Sequence, residues 1–140
     1  MGFFTLPLAK LVGPSGRVIC VEIQEQMLRA LVRRARRANL ADRIETRVCD
    51  PESLRVGDLA LQMDFVLAFA VIHEVGNPAR LFKEVQSVLK PRGQVLVAEP
   101  KGHVSGPDFR ETLAVAAQNG LAKIDSLRIW RSHAAILERV

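Results

Sequence analysis

Tyrosine is absent from this sequence, and tryptophan occurs once, at Trp130. Proteins that hold single-stranded nucleic acid stack its bases on aromatic rings, so such a platform is poorly supplied and nucleic acid is not an expected partner. Cysteine occurs only at Cys20 and Cys49, too few for a disulfide scaffold. Each lies in an apolar run, where a thiol packs as a small hydrophobe. No apolar stretch reaches the roughly 18 residues of a membrane span. Met1-Gly2-Phe3-Phe4 has neither the positive region nor the small-residue cleavage site of a secretory signal, and a cytoplasmic protein is expected. Repeats, low-complexity tracts and flexible linkers are also missing. The 140 residues suit a single domain, 1–140.

What the chain does carry is arginine. There are 15 Arg against 5 Lys, and the net charge is +5. Arg29, Arg33, Arg34, Arg36 and Arg37 crowd one helical segment. Two readings are open: a phosphate- or nucleic-acid-binding patch, or the solvated outer face of a helix. The second is favoured, because Met27, Leu28, Leu31, Val32 and Ala35 give the same segment a normal buried stripe.

Four apolar runs each end on an acid: Val18–Glu22, Ile44–Asp50, Phe65–Glu74 and Val95–Glu99. Runs this rich in Val, Ile and Leu predict strands buried on both faces. Ligands of parallel α/β sheets bind beyond the carboxyl ends of the strands. Several acceptors along one edge of one sheet would suit a donor-rich ligand such as a ribose or a base. Between the strands, residues 3–12, 24–39, 78–90 and 107–119 read as helices. Asn77-Pro78 is a cap followed by proline at the first helical position, and Pro91-Arg92-Gly93 ends the third helix. Residues 121–130 and 133–140 form a closing antiparallel hairpin. The alternation predicts a mostly parallel sheet with helices on both faces.

The pattern resembles the class I S-adenosylmethionine-dependent methyltransferases, in particular the ubiquinone/menaquinone C-methyltransferase-like group. The resemblance rests on Gly16-Arg17-Val18-Ile19-Cys20-Val21-Glu22, Cys49-Asp50-Pro51-Glu52-Ser53-Leu54, residues 64–75 and Leu89-Lys90-Pro91-Arg92-Gly93 with the strand that follows. It implies a Rossmann-like three-layer α/β/α sandwich, S-adenosylmethionine as cofactor and a small-molecule substrate. It assigns Glu22 to the ribose hydroxyls, since a carboxylate presents two acceptor oxygens to a diol. Ile23 packs on the adenine, and Asp50 accepts from its amino group. Pro51 stands where a backbone donor to the ring would be, and has none. Ala68 and Phe69 line the methionine end. Gly2 matches the last glycine of the family's glycine-rich loop. His73 follows the next strand and is the candidate catalytic base, with Glu74 as a further candidate. Lys101 and His103 are substrate-side candidates, and Glu99 is either structural or substrate-facing.

Each assignment has an alternative. Glu22 would also serve a helix dipole, Asp50 would also cap a short helix, and a lone His such as His73 is more often a packed residue. His73-Glu74 has no companions at ligand spacing, so no metal is expected. The family's first strand and most of its glycine-rich loop have no counterpart here. The sequence therefore expects a truncated chain with two unpaired strand edges and weak cofactor binding. The explanations open are a mis-assigned start, a fragment, or a sheet completed by a second copy in a homodimer. The competing function is an inactive methyltransferase-like module for dimerisation or nucleic-acid contact. A dehydrogenase-type nucleotide fold is disfavoured by the hairpin and the Leu89–Gly93 segment.

Overall fold

The computed structural model describes residues 3–140, which gather into two compact units, one ending at Arg55 and the other spanning Val56–Val140. Gly2 lies outside the described residues. The order is α1 (Thr5–Leu11), β1 (Val18–Glu22), α2 (Glu25–Arg37), β2 (Ile44–Val48), β3 (Met63–Phe69), α3 (Pro78–Val88), β4 (Leu89–Pro100), α4 (Gly106–Gln118), β5 (Leu121–Ile129) and β6 (Ser132–Arg139). This is the expected Rossmann-like α/β succession.

In the first unit β1 and β2 run parallel, with Val18 opposite Ile44 and Glu22 opposite Val48. Helix α2 buries Leu28, Leu31 and Ala35, a stripe at the spacing that keeps one helical face inward. All five of its arginines are exposed, as the solvated-face reading expects. Glu25 in the first turn and Arg34, Arg36 and Arg37 in the last complement the helix dipole. Gly16 makes the turn into β1 possible: a Cβ there would lie 2.3 Å from the Val12 carbonyl oxygen.

In the second unit the sheet order is β3-β4-β6-β5. Strands β3 and β4 are parallel, while β6 is antiparallel to both of its neighbours. Strand β4 is the core of this unit, with Leu89, Val95, Val97 and Ala98 fully enclosed. Phe82 and Val85 of α3 and Leu137 of β6 complete the apolar packing. Asn77 caps α3 by accepting from the Arg80 N–H, with Pro78 in the first turn. Ser105 caps α4 by accepting from the Asp108 N–H. Gly120, at φ +83°, turns the chain from α4 into β5 in a conformation that glycine adopts without strain.

Three expectations are corrected. The described strands make two hydrogen-bonded sheets, β1-β2 and β3-β4-β6-β5, not one, and β1 and β3 have a single strand neighbour each. Strands β1 and β2 are only half-buried, not enclosed on both faces. The segment Leu89–Gly93 does end α3, but it already belongs to β4, with Leu89 opposite Met63. Pro91 cannot continue a helix, and Arg92 at φ +65° puts an irregularity into the extended chain. None of the described helices is long and apolar enough to cross a membrane.

Candidate functional site

In the first unit, the two sequence-predicted acids leave neighbouring strands at the same end. Glu22 closes β1 opposite Val48, and the Cys49 N–H donates to the Glu22 carbonyl at 3.0 Å. A strand rises about 3.3 Å per residue and its neighbour lies about 4.8 Å away, so the Asp50 backbone is at most about 8 Å from that of Glu22. That separation is of the order of a nucleoside. The Gln24 N–H donates to Glu22 Oε1 at 3.1 Å, fixing the carboxylate, while Oε2 has no partner among the described residues. Ile23 follows directly and is 53% exposed, an uncovered apolar surface beside an acceptor.

Asp50 is more engaged. Its Oδ1 accepts from the Glu52 N–H at 2.9 Å, and its Oδ2 accepts from Arg55 Nε and Nη2, each at 2.9 Å. The Arg55 hydrogen bond, helped by the backbone donor, holds the Asp50 carboxyl below the usual carboxylate range. The carboxylate has about four acceptor positions, and the Glu52 and Ser53 N–H groups and the Arg55 guanidinium engage most of them. Residues 51–53 form a turn rather than a helix, so Asp50 caps that turn. Pro51 is exposed at its start and offers no N–H. Cys20, also on β1, packs against the Thr5 hydroxyl at 3.9 Å, and burial pushes its thiol up. Neither Cys20 nor Cys49 is joined in a disulfide. The acceptors and the apolar step of this unit fit a nucleoside: a fixed carboxylate with a free oxygen, an exposed isoleucine, and a second acid one strand over.

In the second unit the carboxyl ends of β3 and β4 bring together a second set. Ala68 is buried in the core, and Phe69 at the end of β3 is half-buried. The chain then turns through Ala70 at φ +56° into a short 3-10 turn, Ile72–Glu74. Glu99, next to last in β4, is 1% exposed. Its Oε1 accepts from the Ile72 N–H at 2.7 Å, and its Oε2 pairs with His73 Nδ1 in a short contact. The His73 ring stacks on His103 with centroids 5.4 Å apart. Its Nε2 faces outward, 3.8 Å from Glu74 Oε1. A buried carboxylate on Nδ1 fixes the imidazole orientation and, in the neutral ring, leaves the Nε2 lone pair as proton acceptor.

The sequence singled out His73 but left Glu99 open. The signal available was the acid at the end of an apolar run; that its carboxylate turns inward to a histidine 26 residues earlier was not visible. Lys101 lies on the exposed turn after β4. Among the described residues no three His, Cys, Asp or Glu side chains are grouped to hold a metal ion.

The chain is similar to known proteins in sequence and in fold. The family profile described as "Methyltransferase domain" matches residues 1–97. A demethylmenaquinone methyltransferase of Lactobacillus johnsonii is 34% identical over 98 residues, 70% of this chain and 39% of that protein. A ubiquinone/menaquinone biosynthesis C-methyltransferase of Hydrogenovibrio crunogenus is 31% identical over 98 residues, 70% of this chain and 38% of that protein. The match thus spans about two-fifths of the length of these curated relatives. Among solved structures, a SAM dependent methyltransferase from Aquifex aeolicus superposes with a TM-score of 0.86 at 18% identity, covering 99% of this chain and 77% of that one. The chain belongs to the class I S-adenosylmethionine-dependent methyltransferase family. S-adenosylmethionine is the cofactor of that family.

Proposed function

We propose that this chain works in S-adenosylmethionine-dependent methyl transfer to a small organic acceptor. The relatives that support this carry demethylmenaquinone and ubiquinone/menaquinone in their names. When bound, the cofactor supplies a methyl group already activated by the positive charge on its sulfur. The protein's contribution is to hold, align and exclude water. Glu22 takes the ribose hydroxyls, Ile23 covers the adenine face, Asp50 takes the adenine amino group, and Pro51 closes that end without donating. His73 Nε2 removes the proton of an acceptor O–H or N–H, and Glu99 is the positioning residue that fixes the ring for it.

The single observation carrying this reading is the register of β1 and β2, which sets Glu22 beside Cys49 and Asp50. The test is NMR titration with S-adenosylhomocysteine at millimolar concentration, which detects weak as well as tight binding. Saturable shifts are expected at the amides of Glu22, Ile23 and Glu52. Glu22→Ala should weaken the affinity by about ten- to a hundredfold, since hydrogen bonds to charged groups contribute about 1.5–3 kcal/mol. Shifts confined to other surfaces, or an unchanged affinity in Glu22→Ala, would overturn the assignment.

A further inference from the structure

The second unit holds a groove of about 560 Å³ between α4 and the closing hairpin. Lys101, Arg110, Lys123, Arg128 and Arg131 line it, and no aspartate or glutamate does. All five cations are exposed, and none makes an ion pair with an acid among the described residues. They come from four separate places: the turn after β4, helix α4, strand β5 and the hairpin tip. So much unneutralised positive charge around one concavity attracts an anion, and arginine's fork matches phosphate and carboxylate oxygens.

The groove is not only charged. Phe109, Leu113, Leu127 and Ile129 give it an apolar floor. Trp130 stands at its rim, 82% exposed, with the Arg131 guanidinium 4.4 Å from the ring centroid. The tip carrying both residues is fixed: the Lys101 N–H donates to the Arg131 carbonyl at 2.8 Å, and the Ser132 hydroxyl donates to the Trp130 carbonyl at 3.3 Å. Phe109 is held in turn by stacking on His133, whose Nε2 lies 3.1 Å from the Val104 carbonyl. An indole left in water on a pinned turn is costly unless something covers it. The volume falls within the range of small-molecule sites, about 300–1,000 Å³.

We propose that this groove binds an amphiphilic organic anion, its phosphate or carboxylate head on the arginines and lysines and its apolar body along Phe109 and Leu113 beneath Trp130. The site lies wholly within the second unit and stands whether or not the chain transfers a methyl group. Trp130 is the sole tryptophan and there is no tyrosine, so its emission reports on the groove directly.

The experiment is fluorescence titration of the 140-residue protein with octyl phosphate below its micelle concentration, alongside octanol and inorganic phosphate. Octyl phosphate should shift Trp130 emission saturably and bind at least tenfold more tightly than either half alone. Arg110→Glu should lose about tenfold in affinity, about 1.4 kcal/mol, at unchanged circular dichroism. Lys123→Gln is a milder second variant, expected to weaken binding in the same direction. Octanol binding as well as octyl phosphate, or both variants binding like the parent, would overturn the proposal. So would phosphatidylglycerol vesicles or single-stranded RNA shifting Trp130 where octyl phosphate does not, since the cations would then serve a macromolecular surface. Failure of S-adenosylhomocysteine to bind would leave it intact.

Discussion

Replacing Glu99 by alanine tests the most enclosed polar feature of the chain. The carboxylate is 1% exposed and satisfies two groups at once, the Ile72 N–H at 2.7 Å and the His73 imidazole. A hydrogen bond to a charged group contributes about 1.5–3 kcal/mol, so deleting an enclosed carboxylate that accepts two costs about 3–5 kcal/mol. An Ile72 N–H left without an acceptor accounts for about 1–3 kcal/mol of that. For a chain of this size a loss of 1 kcal/mol lowers the melting temperature by about 3 °C, so Glu99→Ala should melt about 9–15 °C lower. Glu99→Gln keeps an acceptor for the Ile72 N–H and loses only the charge, and should cost about 1–2 kcal/mol. The specific pairing shows in the double variant: His73→Ala and Glu99→Ala together should cost less than the sum of the two, by about 1–3 kcal/mol. Urea and thermal unfolding followed by circular dichroism measure the parent and the four variants. A Glu99→Ala protein within about 0.5 kcal/mol of the parent, or strictly additive single variants, would refute the reasoning.

Two further outcomes follow from the first unit. Gly16→Ala should destabilise by about 1–3 kcal/mol through overpacking, because its Cβ would meet the Val12 carbonyl oxygen at 2.3 Å and the Val12 Cβ at 2.4 Å; Gly57→Ala, with nothing within 4 Å of its Cβ, is the matched control in urea unfolding. Asp50 has its folded pKa lowered by Arg55, so its contribution is present above the unfolded value of about 3.9 and is lost as pH falls through the folded value; urea midpoints between pH 2 and 6 should fall less steeply in Asp50→Asn, and parallel curves would contradict the pairing.

Much of the architecture was legible because it is written locally. The Asn77-Pro78 cap and the turn at Gly120 each follow from one residue's backbone preferences, and those elements fall where the preferences put them; the two-residue hairpin link lies at Trp130-Arg131, one residue before the expected 131–132. The stripe of Leu28, Leu31 and Ala35 likewise fixed which side of α2 meets solvent. What was not legible depends on pairing across the chain. The extension of β4 back to Leu89 comes from its register with Met63, which no local preference encodes past Pro91. The division into two sheets is a matter of partners, not of strand propensity. At the site, the acids were visible as ends of apolar runs, yet their fates differ. Glu22 keeps a free oxygen, Asp50 is largely taken by Arg55 five residues on, and Glu99 is consumed inside the sheet. The hairpin groove was invisible for the same reason: Lys101, Arg110, Lys123, Arg128 and Arg131 form no sequence motif and meet only once α4 and the hairpin are folded.

Strand β5 forms the outer margin of the larger sheet, and most of its nine residues are exposed. It carries Lys123, Asp125 and Arg128, with an irregularity between Lys123 and Asp125. An approaching molecule that tried to extend the ladder there would have to desolvate those charges and match a broken hydrogen-bond rhythm. That margin therefore works as a guard against edge-to-edge aggregation, and self-association by strand addition is disfavoured on this side of the sheet.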